Sequence, residues 1–93
     1  MKLKISDDFV QKLNSQIEYI ARDKPVAARK LKSAILTGIK KLAQHPYSAR
    51  RSIYFEDESI RELIIKGYKI IYRVESSSNE MVVFGFIRSQ NAP

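Results

Sequence analysis

Residues Ser59 to Val74, reading Ser-Ile-Arg-Glu-Leu-Ile-Ile-Lys-Gly-Tyr-Lys-Ile-Ile-Tyr-Arg-Val, constrain the fold more than any other stretch of the chain. Two runs rich in Ile, Leu, Tyr and Val meet at Lys66-Gly67, and apolar runs joined by a glycine-bearing turn encode a β-hairpin. Strand side chains alternate, so Arg61, Leu63 and Ile65 share one face of the first run while Ile60, Glu62 and Ile64 share the other. In the second run Tyr68, Ile70, Tyr72 and Val74 oppose Lys69, Ile71 and Arg73. Both faces are part apolar and part basic, which places the hairpin in the middle of a sheet and not at its edge.

Upstream, the period changes. Lys2 to Ile5 alternates polar and apolar residues and is short enough for an edge strand. Ser6-Asp7-Asp8 supplies an N-cap and first-turn acids for a helix. Phe9, Leu13 and Ile17, with Val10, Ile20 and Ala21, then recur at helical spacing, predicting a helix over residues 8–22. Pro25 suits the first position of a second helix, where its missing N–H costs nothing. Ala28, Leu31, Ile35, Ile39 and Leu42 carry that helix to Gln44, and His45-Pro46 ends it because a residue before proline is pushed out of the helical region. The short turn between them predicts an antiparallel helical hairpin.

After the loop Tyr47 to Arg51, Ser52 to Phe55 is read as the first strand of the sheet proper, followed by the acidic turn Glu56-Asp57-Glu58. Glu75 to Glu80 is a polar turn, Met81 to Arg88 the last strand, and Gly85 within it marks a bulge or a close backbone approach. Ser89 to Pro93 is expected to be a loose tail. The fold expected is therefore α+β, in the order β-α-α-β-β-β-β, with the helical hairpin on one face of an antiparallel sheet. Leu13, Ile17, Leu31, Ile35, Leu63, Ile70, Tyr72 and Phe84 are the expected core. With 93 residues, the whole chain, 1–93, suits one domain.

Composition narrows the chemistry. The chain has no cysteine and one histidine, so neither thiolate chemistry nor a protein-only transition-metal site is expected, and no cofactor is implied. No apolar run reaches the roughly 20 residues that span a bilayer, and the start lacks a signal-peptide core, so a cytoplasmic protein without a membrane partner is expected. Formal net charge is +7, and residues 24–55 contain Lys24, Arg29, Lys30, Lys32, Lys40, Lys41, Arg50 and Arg51 with no acid. Such a surface attracts an acidic partner: nucleic acid, the ribosome or an acidic protein segment. A solvated helix face is the plainer alternative.

Two N-terminal helices followed by Pro46, Arg61 at the opening of the central strand, the pair Gly67-Tyr68 and the later Ile71-Tyr72 resemble the RelE/ParE superfamily of toxins from type II toxin-antitoxin modules. The likeness covers nearly the whole chain. It implies a small α+β toxin neutralised by a cognate antitoxin, expected to dock an acidic amphipathic segment. Two targets occur in this superfamily: ribosome-bound mRNA, cut by RelE-like members, and DNA gyrase, poisoned by ParE-like members. Arg61 matches the family's phosphate-binding arginine, and Arg88 stands where many relatives have a histidine, so these two are the catalytic candidates if the chain is a ribonuclease. Arg50, Arg51, Arg61, Lys66, Arg73 and Arg88 are the candidate contacts to nucleic acid or target.

The Glu-Leu-Ile-x-x-x-Tyr-x-Ile-x-Tyr phrasing of the hairpin looks like the ParE branch. The C-terminal stretch Arg88-Ser89-Gln90-Asn91 departs from the His-x-x-Arg pattern of that branch, and no tyrosine follows Tyr72 as a RelE-like end would require. Gyrase inhibition is therefore the favoured reading, with a ribosome-dependent mRNA endonuclease and a non-toxic nucleic-acid-binding module as alternatives. Individual residues keep plainer roles open. Arg61 is free to pair with Glu75 or with Glu56, Asp57 or Glu58, His45 to cap carbonyls instead of acting as a base, and Tyr68 and Tyr72 to fill the core. Glu62 is able to act as a base only if its face is open.

Overall fold

The computed structural model describes residues 1–88. In chain order these form β1 (Lys2–Ile5), α1 (Asp7–Ala21), α2 (Pro25–Gln44), β2 (Arg50–Arg51), β3 (Ile60–Ile65), β4 (Tyr68–Glu75) and β5 (Glu80–Arg88). The expected tail Ser89–Pro93 lies outside the described residues, as do Ser89, Gln90 and Asn91 of the C-terminal pattern. Both helices begin within a residue of where the sequence predicts, α1 at Asp7 and α2 at Pro25. The Ser6 hydroxyl accepts the Phe9 N–H at 3.1 Å, satisfying a first-turn donor, and Pro25 opens α2. At the end of α2 it is the backbone N–H of His45, not its ring, that bonds the carbonyls of Lys41 and Leu42.

The five strands form one sheet in the order β1-β5-β4-β3-β2, with the predicted hairpin at its centre. Lys66 (φ 49°) and Gly67 (φ 86°) both adopt the left-handed region that a tight two-residue hairpin turn demands. Strands β2 to β5 pair antiparallel as expected, but β1 runs parallel to β5, so the sheet is mixed. The reason lies in α1. Phe9 packs edge-on against Phe86 at 5.8 Å, and a β1 that runs parallel to β5 ends beside Val83 and so delivers the chain to that end.

Both helices cover one face. Phe9, Leu13, Leu31, Ile35, Ile39 and Leu42 meet Tyr68, Ile70, Tyr72, Val74, Met81 and Val83 in a single core, against which Ile17 and Leu63 pack partly buried. Phe84 is a correction: it lies on the far face, beside Phe55 at 5.9 Å, because Met81 and Val83 take the helix-facing positions of β5. Just beyond, a register shift opposite Ile71 and Tyr72 lets Phe86 return to the helix side. Gly85 sits at this bulge, where a Cβ would come within 2.9 Å of the Ile71 Cβ, so both readings of that glycine hold together.

A second correction concerns Ser52 to Phe55, expected as a strand. Pairing stops after Arg51, apart from a last bond from the Ser52 N–H to the Ile60 carbonyl. The Ile53 N–H is captured at 3.1 Å by the Glu62 carboxylate and the Tyr54 N–H by the Ser52 hydroxyl at 3.3 Å, so side chains take the donors a strand would need.

Candidate functional site

The basic residues singled out in the sequence fall into two groups at opposite ends of the central hairpin. Arg50, Arg51, Arg61 and Arg73 gather where β3 begins and β4 ends, while Lys66 and Arg88 lie beside the Lys66-Gly67 turn. Arg61 opposes Tyr72 and Arg88 opposes Tyr68, a separation of four residues along β4, or roughly 13 Å along the strand direction. The two arginines face the helix side on either flank of β4 and do not converge on one point.

Arg61 is held by main chain. Its Nε donates to the Glu58 carbonyl at 2.9 Å and Nη1 to the Ala49 carbonyl at 3.2 Å, and the guanidinium lies 5.1 Å from the centre of the Tyr47 ring. Arg51 is its direct cross-strand neighbour, a like-charge pair that Glu58, 4.0 Å from Arg51, helps to offset. Arg73 pairs with Glu75 at 2.9 Å and lies over Phe84. The carboxylate partner anticipated for Arg61 thus went to Arg73, and Arg61 fastens both ends of the loop before β3.

The neighbouring residue works from the other face. Glu62 is 1% exposed, and one carboxylate oxygen accepts from Arg50 at 2.6 and 3.0 Å while the other accepts the Ile53 N–H. Lys69 stands 3.8 Å away and donates to the Tyr54 hydroxyl at 3.1 Å. Burial pushes the Glu62 carboxyl up, but the hydrogen bonds from Arg50, Ile53 and Ser52 and the Arg50 charge outweigh it and hold the group below the usual carboxylate range. A carboxylate so engaged is a poor proton acceptor. Its face is closed, which answers the condition set for it as a base.

Tyr72 is fully buried, with its hydroxyl donating to the Pro46 carbonyl at 2.6 Å. Burial pushes the phenol up to about 12, with the Arg61 charge pulling only partly the other way. Tyr68 stacks on Phe86 at 5.1 Å and accepts from Gln16 at 2.9 Å. Both tyrosines serve the core. Because the folded Tyr72 holds its proton more tightly than the unfolded one, its stabilising contribution is full below about pH 10 and is lost as pH rises toward 12. Alkaline unfolding followed by circular dichroism should show this limb, and Tyr72→Phe should remove it while costing about 1 kcal/mol at pH 7 through the orphaned Pro46 carbonyl.

Arg61 apart, a different surface holds the unneutralised charge. Among the described residues Arg29, Lys30, Lys32, Lys40 and Lys41 of α2 join no ion pair, whereas Arg50, Arg51, Lys69 and Arg73 on the sheet all lie within 4.0 Å of a carboxylate. Arg29, Lys32 and Lys40 rim an open groove of about 550 Å³ along the helical layer, with Ile17 and Leu36 among its lining. The acid-free run in the sequence signalled this charge. The sheet arginines were the ones singled out there, because local sequence does not show which cations find partners.

The architecture is a helical hairpin over a five-stranded mixed sheet, with arginines at the sheet's end and a basic helix outside. The model of the family described as ParE toxin of type II toxin-antitoxin system, parDE, matches residues 3–92, and the chain belongs to that family. Among solved structures the chain is similar to one from the chromosomal ParDE system of P. aeruginosa, at 21% identity, TM-score 0.78 and 97% coverage of each chain. It is also similar in fold to the isolated E. coli RelE toxin, at 12% identity and TM-score 0.62, covering 97% of this chain and 85% of that one. A search of curated protein sequences gives no significant match. Membership implies an antitoxin partner. Among the described residues no helix is long and apolar enough to cross a membrane.

Proposed function

We propose that this chain is a cytoplasmic toxin that acts on DNA gyrase and is neutralised by an antitoxin carrying an acidic amphipathic segment. The match to the ParE family over residues 3–92 carries the reading. The site chemistry supports it. Cleaving RNA through its 2′-hydroxyl requires a base for that hydroxyl, cations for the phosphate and an acid for the leaving oxygen. Here Glu62 is clamped, the Tyr72 phenol is protonated far above neutrality, and Arg61 and Arg88 stand apart.

Purified protein should block gyrase supercoiling or accumulate cleaved gyrase-DNA complexes, while ribosome-bound mRNA stays whole with or without Arg61. Ribosome-dependent mRNA cuts by the wild type that vanish in a folded Arg61→Ala variant would instead establish the endonuclease. Tight, salt-sensitive binding to naked nucleic acid with no toxicity would favour the nucleic-acid module.

For the antitoxin, the groove between Ile17 and Leu36 with its Arg29, Lys32 and Lys40 rim fits an acidic amphipathic helix, apolar side down. Association should slow steeply with salt, and a Lys32→Glu, Lys40→Glu double variant should lower the on-rate by about tenfold at low salt, as read by surface plasmon resonance. An unchanged on-rate would move the dock elsewhere.

A further inference from the structure

Three consecutive apolar residues stand exposed in the loop after β2: Ile53 at 68%, Tyr54 at 49% and Phe55 at 39%. Exposed apolar residues scattered singly are ordinary, but a contiguous run on an ordered segment marks a contact surface. This run is ordered from both sides of the sheet. On the far face the Glu62 carboxylate takes the Ile53 N–H, Lys69 donates to the Tyr54 hydroxyl, and Phe55 meets Phe84 edge-on. On the helix face Arg61 bonds the carbonyls of Ala49 and Glu58, on either side of the loop. Ile64, 48% exposed, extends the apolar surface on the far face of β3.

We infer that Ile53, Tyr54 and Phe55 form the target-docking epitope of this chain, and that they enter an apolar cleft with a basic rim on a protein target. The fixed loop has already lost its conformational freedom in folding, so binding does not have to remove it again. Charge decides against nucleic acid. Phosphate binding needs cations that can replace counterions, and here Arg50 and Lys69 face Glu62 while Arg73 faces Glu75. The adjoining turn adds Glu56 and Asp57, which join no ion pair among the described residues and suit a basic rim, while Glu58 is turned to Arg51. Arg61 beside the loop faces no carboxylate, but its guanidinium is engaged by the Ala49 and Glu58 carbonyls, so a nucleic-acid partner would find most unpaired cations on α2, away from this loop.

The inference rests on the gyrase reading for its partner, and the test separates the two. Ile53→Arg, Phe55→Ala and the conservative Ile53→Val are compared with wild type for melting temperature, antitoxin binding, growth inhibition, gyrase supercoiling, and binding to gyrase subunits without DNA. Ile53→Arg and Phe55→Ala should melt and bind antitoxin like wild type, yet need about tenfold or more protein for half-inhibition, whereas Ile53→Val behaves as wild type. Equal inhibition by folded Ile53→Arg and Phe55→Ala overturns the epitope. So does binding of a single-stranded oligonucleotide by wild type that Ile53→Arg abolishes, which would assign the loop to nucleic acid. If wild type stops growth without affecting gyrase, the gyrase reading falls. Loss of growth inhibition in Ile53→Arg then still supports the epitope, and its retention still overturns it.

Discussion

Replacing Glu62 by Ala should lower stability by about 2 to 3 kcal/mol, because it leaves the Ile53 N–H and the largely buried Lys69 without their acceptor while the half-exposed Arg50 turns to solvent. Arg50, Lys69 and the Ile53 N–H all converge on this carboxylate, whose side chain is fully buried, while that of Lys69 is only 11% exposed. Ile53, Tyr54 and Phe55 should loosen as well, so the variant should expose the loop to proteolysis. Urea denaturation at pH 7 gives the size of the loss, and an unchanged midpoint would show that the network contributes nothing net.

The pH dependence has a definite sign. Glu62 is held below its ordinary carboxylate value in the folded state, so its contribution is present above the unfolded value of about 4.5 and fades as pH falls through the folded one. The stability gap between wild type and Glu62→Gln should therefore be widest near neutrality and narrow toward pH 3. A gap that is constant from pH 7 to pH 3 would contradict the assignment.

Truncating Ile35 to Ala should cost about 2 to 5 kcal/mol. This residue is 0% exposed and lies on α2 between Leu31 and Ile39, in the cluster that joins both helices to β4 and β5. The loss combines the missing transfer energy with a cavity that two helices and a sheet cannot close without moving together. Ile35→Val, which keeps the branched shape, should cost about 0.5 to 1.5 kcal/mol, and equal effects of the two substitutions would show the site to be less tightly packed than its burial implies. Chemical denaturation of both variants measures the difference.

The core shows how far pattern reaches. Leu13, Leu31, Ile35, Ile70 and Tyr72 are buried as their spacing predicts, because a helical stripe and an alternating strand each have one apolar face to hide. Ile17 and Leu63 reach only the rim of that cluster. Phe84 fails the same test because β5 offers apolar residues on both faces, and periodicity cannot say which face the helices cover when loop 52–58 covers part of the other. The site follows the same division. An acid-free basic run was readable along α2, but the partners of each arginine were not.

What the sequence by itself determined is local. Ser6 and Pro25 start the helices, the repeat of apolar residues sets which side they bury, and Lys66-Gly67 turns the central hairpin, since each depends on residues within a few positions of one another. The tertiary structure alone decided the parallel seating of β1 beside β5, the capture of Arg61 by the carbonyls of Ala49 and Glu58, and the closure of Glu62 under Arg50 and Ile53. Most of these join groups 9 to 78 residues apart, and their geometry exists only once the helices and sheet have docked. A side chain's charge is written in the sequence; whether that charge is free or already paired is settled by what folding brings beside it.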